Sequence, residues 1–223
     1  MTAAAVPSSH PSLVAKFENG AEWWHALGDV PLERIVMDPP PGTATEQDLL
    51  WFVEAGDRLV ELVDGTLVEK GMGYDESEIA IRLAHFIMTW VLPRKLGSVA
   101  GADATLRMKR GNVRLPDISF IVAARIAALP KPHPAIPSLS PDLAVEVLSE
   151  SNTKPEIARK LKEYFESGTR LAWIIDPPRK TLAVFTGATE NPDRVLSEHE
   201  TVDGGDVLPG FALRIAELFP DAA

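Results

Sequence analysis

Residues 141–176, PDLAVEVLSESNTKPEIARKLKEYFESGTRLAWIID, decide the fold class of this chain, because they pass from a strand pattern to a helix pattern and back. In DLAVEVLS the run Leu143, Ala144, Val145, Val147 and Leu148 is short and rich in valine and leucine, as expected of a strand buried on both faces. Its one interior charge is Glu146. Ser151-Asn152-Thr153-Lys154-Pro155 then supplies helix-start signals. Ile157, Leu161, Tyr164 and Phe165 give the helix an apolar face, and Gly168 ends it. LAWIID and TLAVFTG resume as two strands across the turn PPRK. The chain is therefore an α/β protein.

Upstream, Thr43-Ala44-Thr45-Glu46-Gln47-Asp48 changes to capping residues before LLWFVEAG, which predicts a short helix ended by Gly56. RLVELV and TLVEK flank Asp64-Gly65, a strong hairpin signal. From Asp75 to about Trp90, the apolar residues Ile79, Leu83, Phe86, Ile87 and Trp90 predict an amphipathic helix stopped near Pro93. The acids Asp75, Glu76 and Glu78 fall in its first turn, where they complement the helix dipole. SVAGAD, ATLRMK and RLPDISFIV read as strands, the last running into ARIAALP, before the proline-rich loop PKPHPAIPSLSP. HETVDGGDVLPGFALRIAELF suggests a last hairpin and a short terminal helix. Residues 1–43, with the proline run MDPPPGT, read as a loose N-terminal arm carrying one short apolar segment around Arg34 to Met37. Residues 44–223 are then one domain, as a length of 223 residues suggests.

Composition excludes several function classes. With no cysteine, disulfides and thiolate metal sites are ruled out, and the five histidines are too scattered to suggest a zinc cluster. Any metal must sit on oxygen ligands, which points to a hard ion such as magnesium. No apolar run approaches the roughly 18 residues that span a bilayer, and the N-terminus MTAAAVPSSHPSL lacks an export pattern, so a cytoplasmic protein without membrane partners is expected. The net charge of −10 argues against broad electrostatic attachment to nucleic acid, though not against a local basic groove. The densest positive stretch is Arg107, Lys109, Arg110 and Arg114, which equally suits a solvated hairpin turn.

Three residues suggest chemistry: Asp117 entering one strand, Glu146 inside the next, and Lys160 on the following helix. A carboxylate inside an apolar strand costs several kcal/mol unless paired, hydrogen-bonded or neutralised by a metal. Two such carboxylates on neighbouring strands make an oxygen-rich site for a divalent cation, and a nearby ammonium would orient water or steady charge on a phosphate. Simpler roles stand beside these. Asp117 suits a turn residue, Glu146 a structural pair with a buried arginine, and Lys160 a surface pair with Glu156 four residues before it. Asp117 and Glu146 also suit the acid/base pair of a glycosidase, but the five tryptophans look like core or arm residues rather than sugar platforms.

The ordered blocks ELVDGTLVEK, RLPDISFIV, PDLAVEVLSESN, RKLKEYFESG and LAWIIDP, over roughly Glu46 to Gly187, resemble the Uma-two family of restriction endonucleases within the PD-(D/E)xK nuclease superfamily. The resemblance implies a restriction-endonuclease-like core, with a central mixed β-sheet flanked by helices. It also implies magnesium-dependent hydrolysis of DNA phosphodiesters, with manganese as a possible substitute, and a homodimer. By the family's motifs, Asp117 and Glu146 are metal ligands with the Val147 carbonyl as a further one, Lys160 positions the attacking water, and Glu61 extends the site. The superfamily lysine usually stands two residues after the second acid, where this chain has Leu148, so Lys160 replaces it from the next helix. Glu76 stands where many relatives carry histidine, which leaves its role open. The broken spacing and the acidic balance keep a second function in play, a catalytically silent binding or regulatory module on the same fold.

Overall fold

A computed structural model describes residues 16–56, 58–71 and 73–219. In chain order, α1 (Gly20–Ala26) and α2 (Glu46–Ala55) precede β1 (Val60–Val63), β2 (Thr66–Glu69), α3 (Tyr74–Arg94) and β3 (Gly97–Ala100). Next come β4 (Leu106–Arg107), β5 (Val113–Arg114), β6 (Ile118–Val122), α4 (Ala123–Ala127), β7 (Leu143–Val147) and α5 (Lys154–Ser167). The chain finishes with β8 (Leu171–Asp176), β9 (Thr181–Phe185), β10 (Arg194–Ser197), β11 (Thr201–Gly204), β12 (Leu208–Arg214) and a 3-10 turn, Ile215–Leu218.

The central sheet has six strands in the order β10-β9-β8-β7-β6-β3. It is mixed, because α5 carries the chain back so that β8 runs parallel to β7 while the other neighbours are antiparallel. Alternation along β7 and β8 sends Val145, Val147, Trp173 and Ile175 into the large core under α3, against Ile79, Leu83 and Ile87. The opposite face packs Ala144 with Tyr164, and Ala172 and Ile174 with Leu161, under α5. Helices thus cover both faces of β7, which is why its five residues are all buried.

A second sheet, β2-β1-β5-β4, stands beside the first. Its hairpin turns through Asp64 and Gly65, at φ 46° and 70°, the double positive φ that an Asp-Gly pair accommodates. Leu115, Pro116 and Asp117 connect this sheet to β6 of the other, so the junction of the two sheets falls at the first candidate residue.

Gly56 ends α2 with the expected left-handed φ of 70°, and Thr45 with Asp48 forms its capping box. Other details depart from the sequence pattern. After β6 the chain turns directly into α4, while RVLS pairs with β9 as a strand that the pattern did not reveal. Trp51 is 61% exposed rather than part of the core. The described part of the proposed arm packs on the domain: Ile35 bridges Val68, and the Val36 amide donates to the Leu67 carbonyl. Residues 1–15 of that segment lie outside the described residues. Among the described residues no helix is long and apolar enough to cross a membrane.

Candidate metal and phosphodiester site

Register brings the two candidate carboxylates together. Ile118 faces Val145 across the antiparallel β6–β7 ladder, so the next opposing pair outward is Asp117 and Glu146, whose side chains leave the same sheet face. Alternation along β7 makes that the α5 face. The Val147 amide donates to Asp117 Oδ2 at 2.6 Å, which ties the first carboxylate to the strand that carries the second. Asp117 is therefore not a turn residue capping its own backbone.

From α5, Lys160 and Tyr164 project one helical turn apart onto Glu146. Lys160 Nζ donates to Glu146 Oε2 at 3.1 Å, and the Tyr164 hydroxyl donates to Oε1. The partner of Glu146 is thus a lysine and a tyrosine, not an arginine. Lys160 also lies 3.3 Å from Glu61 Oε1 and is 2% exposed, so the surface pair with Glu156 does not form. Glu156 instead takes two hydrogen bonds from Arg34, at 2.8 and 3.0 Å. Glu61, on β1, accepts from Arg114 Nη1 at 2.8 Å and from the Leu115 amide at 3.0 Å. Asp117, Glu146, Lys160 and Glu61 therefore meet in one cluster, and none is more than 4% exposed.

The electrostatics follow from burial. Burial pushes the Glu146 carboxyl up; Lys160 and Lys70 pull it down, Asp117 and Glu61 push it further up, and it ends above the ordinary carboxylate range. Burial opposes ionisation of Glu61 too, but Lys160, Arg114, Lys70 and the Leu115 amide outweigh it and hold this carboxyl at about 2. Lys160 loses solvation, yet Glu146 and Glu61 raise its pKa and keep it an ammonium.

Lys70 and Arg114 joined the site unannounced, and Tyr164 was legible only as apolar helix face. Lys70, at the end of β2, places Nζ 2.7 Å from Asp117 Oδ1 and donates to the Leu115 carbonyl. Arg114 looked like part of a solvated basic turn but is 3% exposed, bridging Glu61 and Glu163. Lys109 and Arg110 of that turn do reach a surface cleft of about 480 Å³, whose wall includes Lys16, Arg159, Lys162 and Glu163. Glu76 accepts from the Gly73 amide at 2.9 Å and caps α3.

The donor chemistry suits a hard divalent ion: carboxylate oxygens on adjacent strands, one of which, Asp117 Oδ1, is buried and accepts no aligned hydrogen bond. Among the described residues no group of three or more acidic, histidine or cysteine side chains converges as a metal cage, so the pair would need backbone or water oxygens to complete a shell.

The crystal structure of "a putative nuclease belonging to DUF820" from Anabaena variabilis superposes with a TM-score of 0.62 at 22% identity, covering 72% of this chain and 89% of that one. The two share the fold. No curated protein matches the chain. Residues 45–216 match the Uma2 family, described as "Putative restriction endonuclease". The chain belongs to the Uma2 family.

Proposed function

We propose that this protein is a magnesium-dependent endonuclease that hydrolyses DNA phosphodiester bonds at the Asp117–Glu146 pair. The observation that carries the proposal is the meeting of Asp117 and Glu146 on one sheet face with Lys160 bonded to Glu146, since two carboxylates and an ammonium are what metal-assisted phosphodiester hydrolysis requires. Asp117 and Glu146 would hold the ion, with the Val147 carbonyl a further ligand. When bound, the ion supplies Lewis acidity toward a phosphate oxygen and lowers the pKa of water. Lys160 orients the attacking water and steadies negative charge developing on the phosphorus oxygens. Glu61 positions Lys160 by its 3.3 Å contact. The Lys109–Arg110 turn, beside the cleft walled by Glu163, offers the local positive surface that a DNA backbone needs on an otherwise acidic chain.

Plasmid cleavage with magnesium tests this directly. Wild-type protein is expected to nick or linearise DNA and Glu146→Ala to be inert; cleavage without metal, or cleavage insensitive to Glu146, would overturn the mechanism.

One observation favours a second function, a catalytically silent module: the carboxylates are enclosed and already paired with ammonium groups. Calorimetric titration separates the two. Wild-type protein that takes up no magnesium or manganese at millimolar concentration belongs to the silent class.

A further inference from the structure

Asp117 is held from two sides by different means. Oδ2 is committed to the Val147 amide at 2.6 Å. Oδ1 lies 2.7 Å from Lys70 Nζ, in an ion contact without an aligned hydrogen bond, and the same ammonium donates to the Leu115 carbonyl. The Lys70 side chain is 3% exposed, so its charge is as enclosed as the carboxylate it faces. Here a lysine from the end of one sheet meets a carbonyl and a carboxylate from the link between both sheets.

An ammonium and a divalent ion ask the same thing of Oδ1, a share of its negative charge, and at such distances two cations repel strongly in a low-dielectric site. They cannot both sit there. Lys160 faces no such conflict at Asp117, since its partners are Glu146 Oε2 and Glu61 Oε1. We propose that Lys70 is a built-in competitor for the metal at Asp117, so that loading a divalent ion is an exchange in which the ammonium yields Oδ1 to the ion. This rests on the metal-dependent reading of the same carboxylates. Lys70 can keep its hydrogen bond to Leu115 while yielding, which makes the exchange a local movement of one side-chain tip. The consequence runs against the usual effect of deleting a buried site charge: neutralising Lys70 strengthens metal binding, whereas neutralising Asp117 or Glu146 weakens it.

The test is calorimetric titration of manganese into chelator-treated full-length protein as wild type, Lys70→Met, Lys70→Gln and Glu146→Gln, with melting curves at zero and saturating metal. Lys70→Met is expected to bind at least tenfold more tightly than wild type and to gain more melting temperature from manganese. If Lys70→Met fails to fold by circular dichroism, Lys70→Gln, whose amide can still donate to Leu115, carries the comparison. Equal or weaker binding in the folded Lys70 variants, with wild type binding and Glu146→Gln not, would overturn the competition and leave the nuclease site standing. Failure of wild type and both Lys70 variants to bind would overturn the metal site and the competition together.

Discussion

Arg34→Met probes the clamp that holds the site's two lysine-bearing elements together. Arg34 is 6% exposed; its Nε donates to the Glu69 carbonyl at 2.8 Å, next to Lys70, and its Nη1 to the Ser151 carbonyl at 3.0 Å. The same guanidinium grips Glu156, one turn before Lys160 on α5, in a bidentate pair at 2.8 and 3.0 Å. Methionine fills much of the volume but leaves Glu156, itself 2% exposed, with Asn152 Nδ2 at 3.2 Å as its remaining side-chain hydrogen bond. Breaking one side of a buried pair costs about 3–5 kcal/mol. At roughly 2–4 °C per kcal/mol for a chain of this length, the melting temperature should fall by about 6–20 °C. Burial pushes the Glu156 carboxyl up, but the Arg34 hydrogen bonds and the charges of Lys160 and Arg34 outweigh it and leave the pKa below its ordinary value. A carboxyl depressed in the folded state contributes stability above its unfolded pKa of about 4.3 and loses it as pH falls through the folded value. The gap between wild type and variant should therefore be widest near neutrality and narrow below about pH 4. Thermal unfolding followed by circular dichroism at pH 7 and pH 3 measures both. A loss under about 2 °C at pH 7, or a gap that does not narrow in acid, would refute the reasoning.

Other perturbations report on neighbouring contacts. Gly28→Ala places a Cβ 2.7 Å from the Glu156 Cα at a φ of +95°, so urea titration should show a loss of more than about 1 kcal/mol. Tyr164→Phe removes the hydroxyl that donates to Glu146 Oε1 and should cost about 1–3 kcal/mol, read from the same denaturation midpoint. Trp173→Ala hollows the core where the indole stacks on Phe211 and should cost about 3–5 kcal/mol, enough to lower the melting temperature by several degrees. Lys109→Glu with Arg110→Glu should weaken binding of duplex DNA, measured by fluorescence anisotropy, and flatten its dependence on salt while leaving the melting temperature nearly unchanged.

Asp117 and Glu146 were legible because a charge inside an apolar strand demands a partner, and antiparallel register then places both on one face. The helix caps and the Asp-Gly hairpin were legible because local backbone chemistry fixes them. Lys70 was not, because its role depends on β2 lying beside the Leu115–Asp117 link, a contact between residues forty-five or more positions apart that no periodicity records. Arg114 was misread for the opposite reason: a cluster of basic residues along the chain looks solvated, yet alternation turns Arg114 inward beneath Glu163 while Arg110 stays 73% exposed. Nor does the pattern distinguish Trp173, wholly buried, from Trp51, since each sits among apolar neighbours in sequence.

The place of Lys160 on α5 rather than on β7 has a physical explanation in the way α5 crosses the sheet. Two residues after Glu146 on β7, Leu148 shares the sheet face and packs with Leu161 and Ile174, so the position that would carry the superfamily lysine serves the core under α5. A helix laid over that face can return the charge from above. Lys160 and Tyr164, four residues apart, fall on one side of α5 and together satisfy both oxygens of Glu146, which a single lysine on the strand would not do. Around them the carboxylates of Glu61, Asp117, Glu146 and Glu163 meet Lys70, Lys160, Arg114 and Arg159, the last shared with Asp64, so each buried charge has a partner of opposite sign. The balance is not evenly secured. Glu61 and Glu146 each have both oxygens hydrogen-bonded, whereas Asp117 Oδ1 is held by charge alone. In the proposed exchange, that oxygen is the one a divalent ion would take over from Lys70.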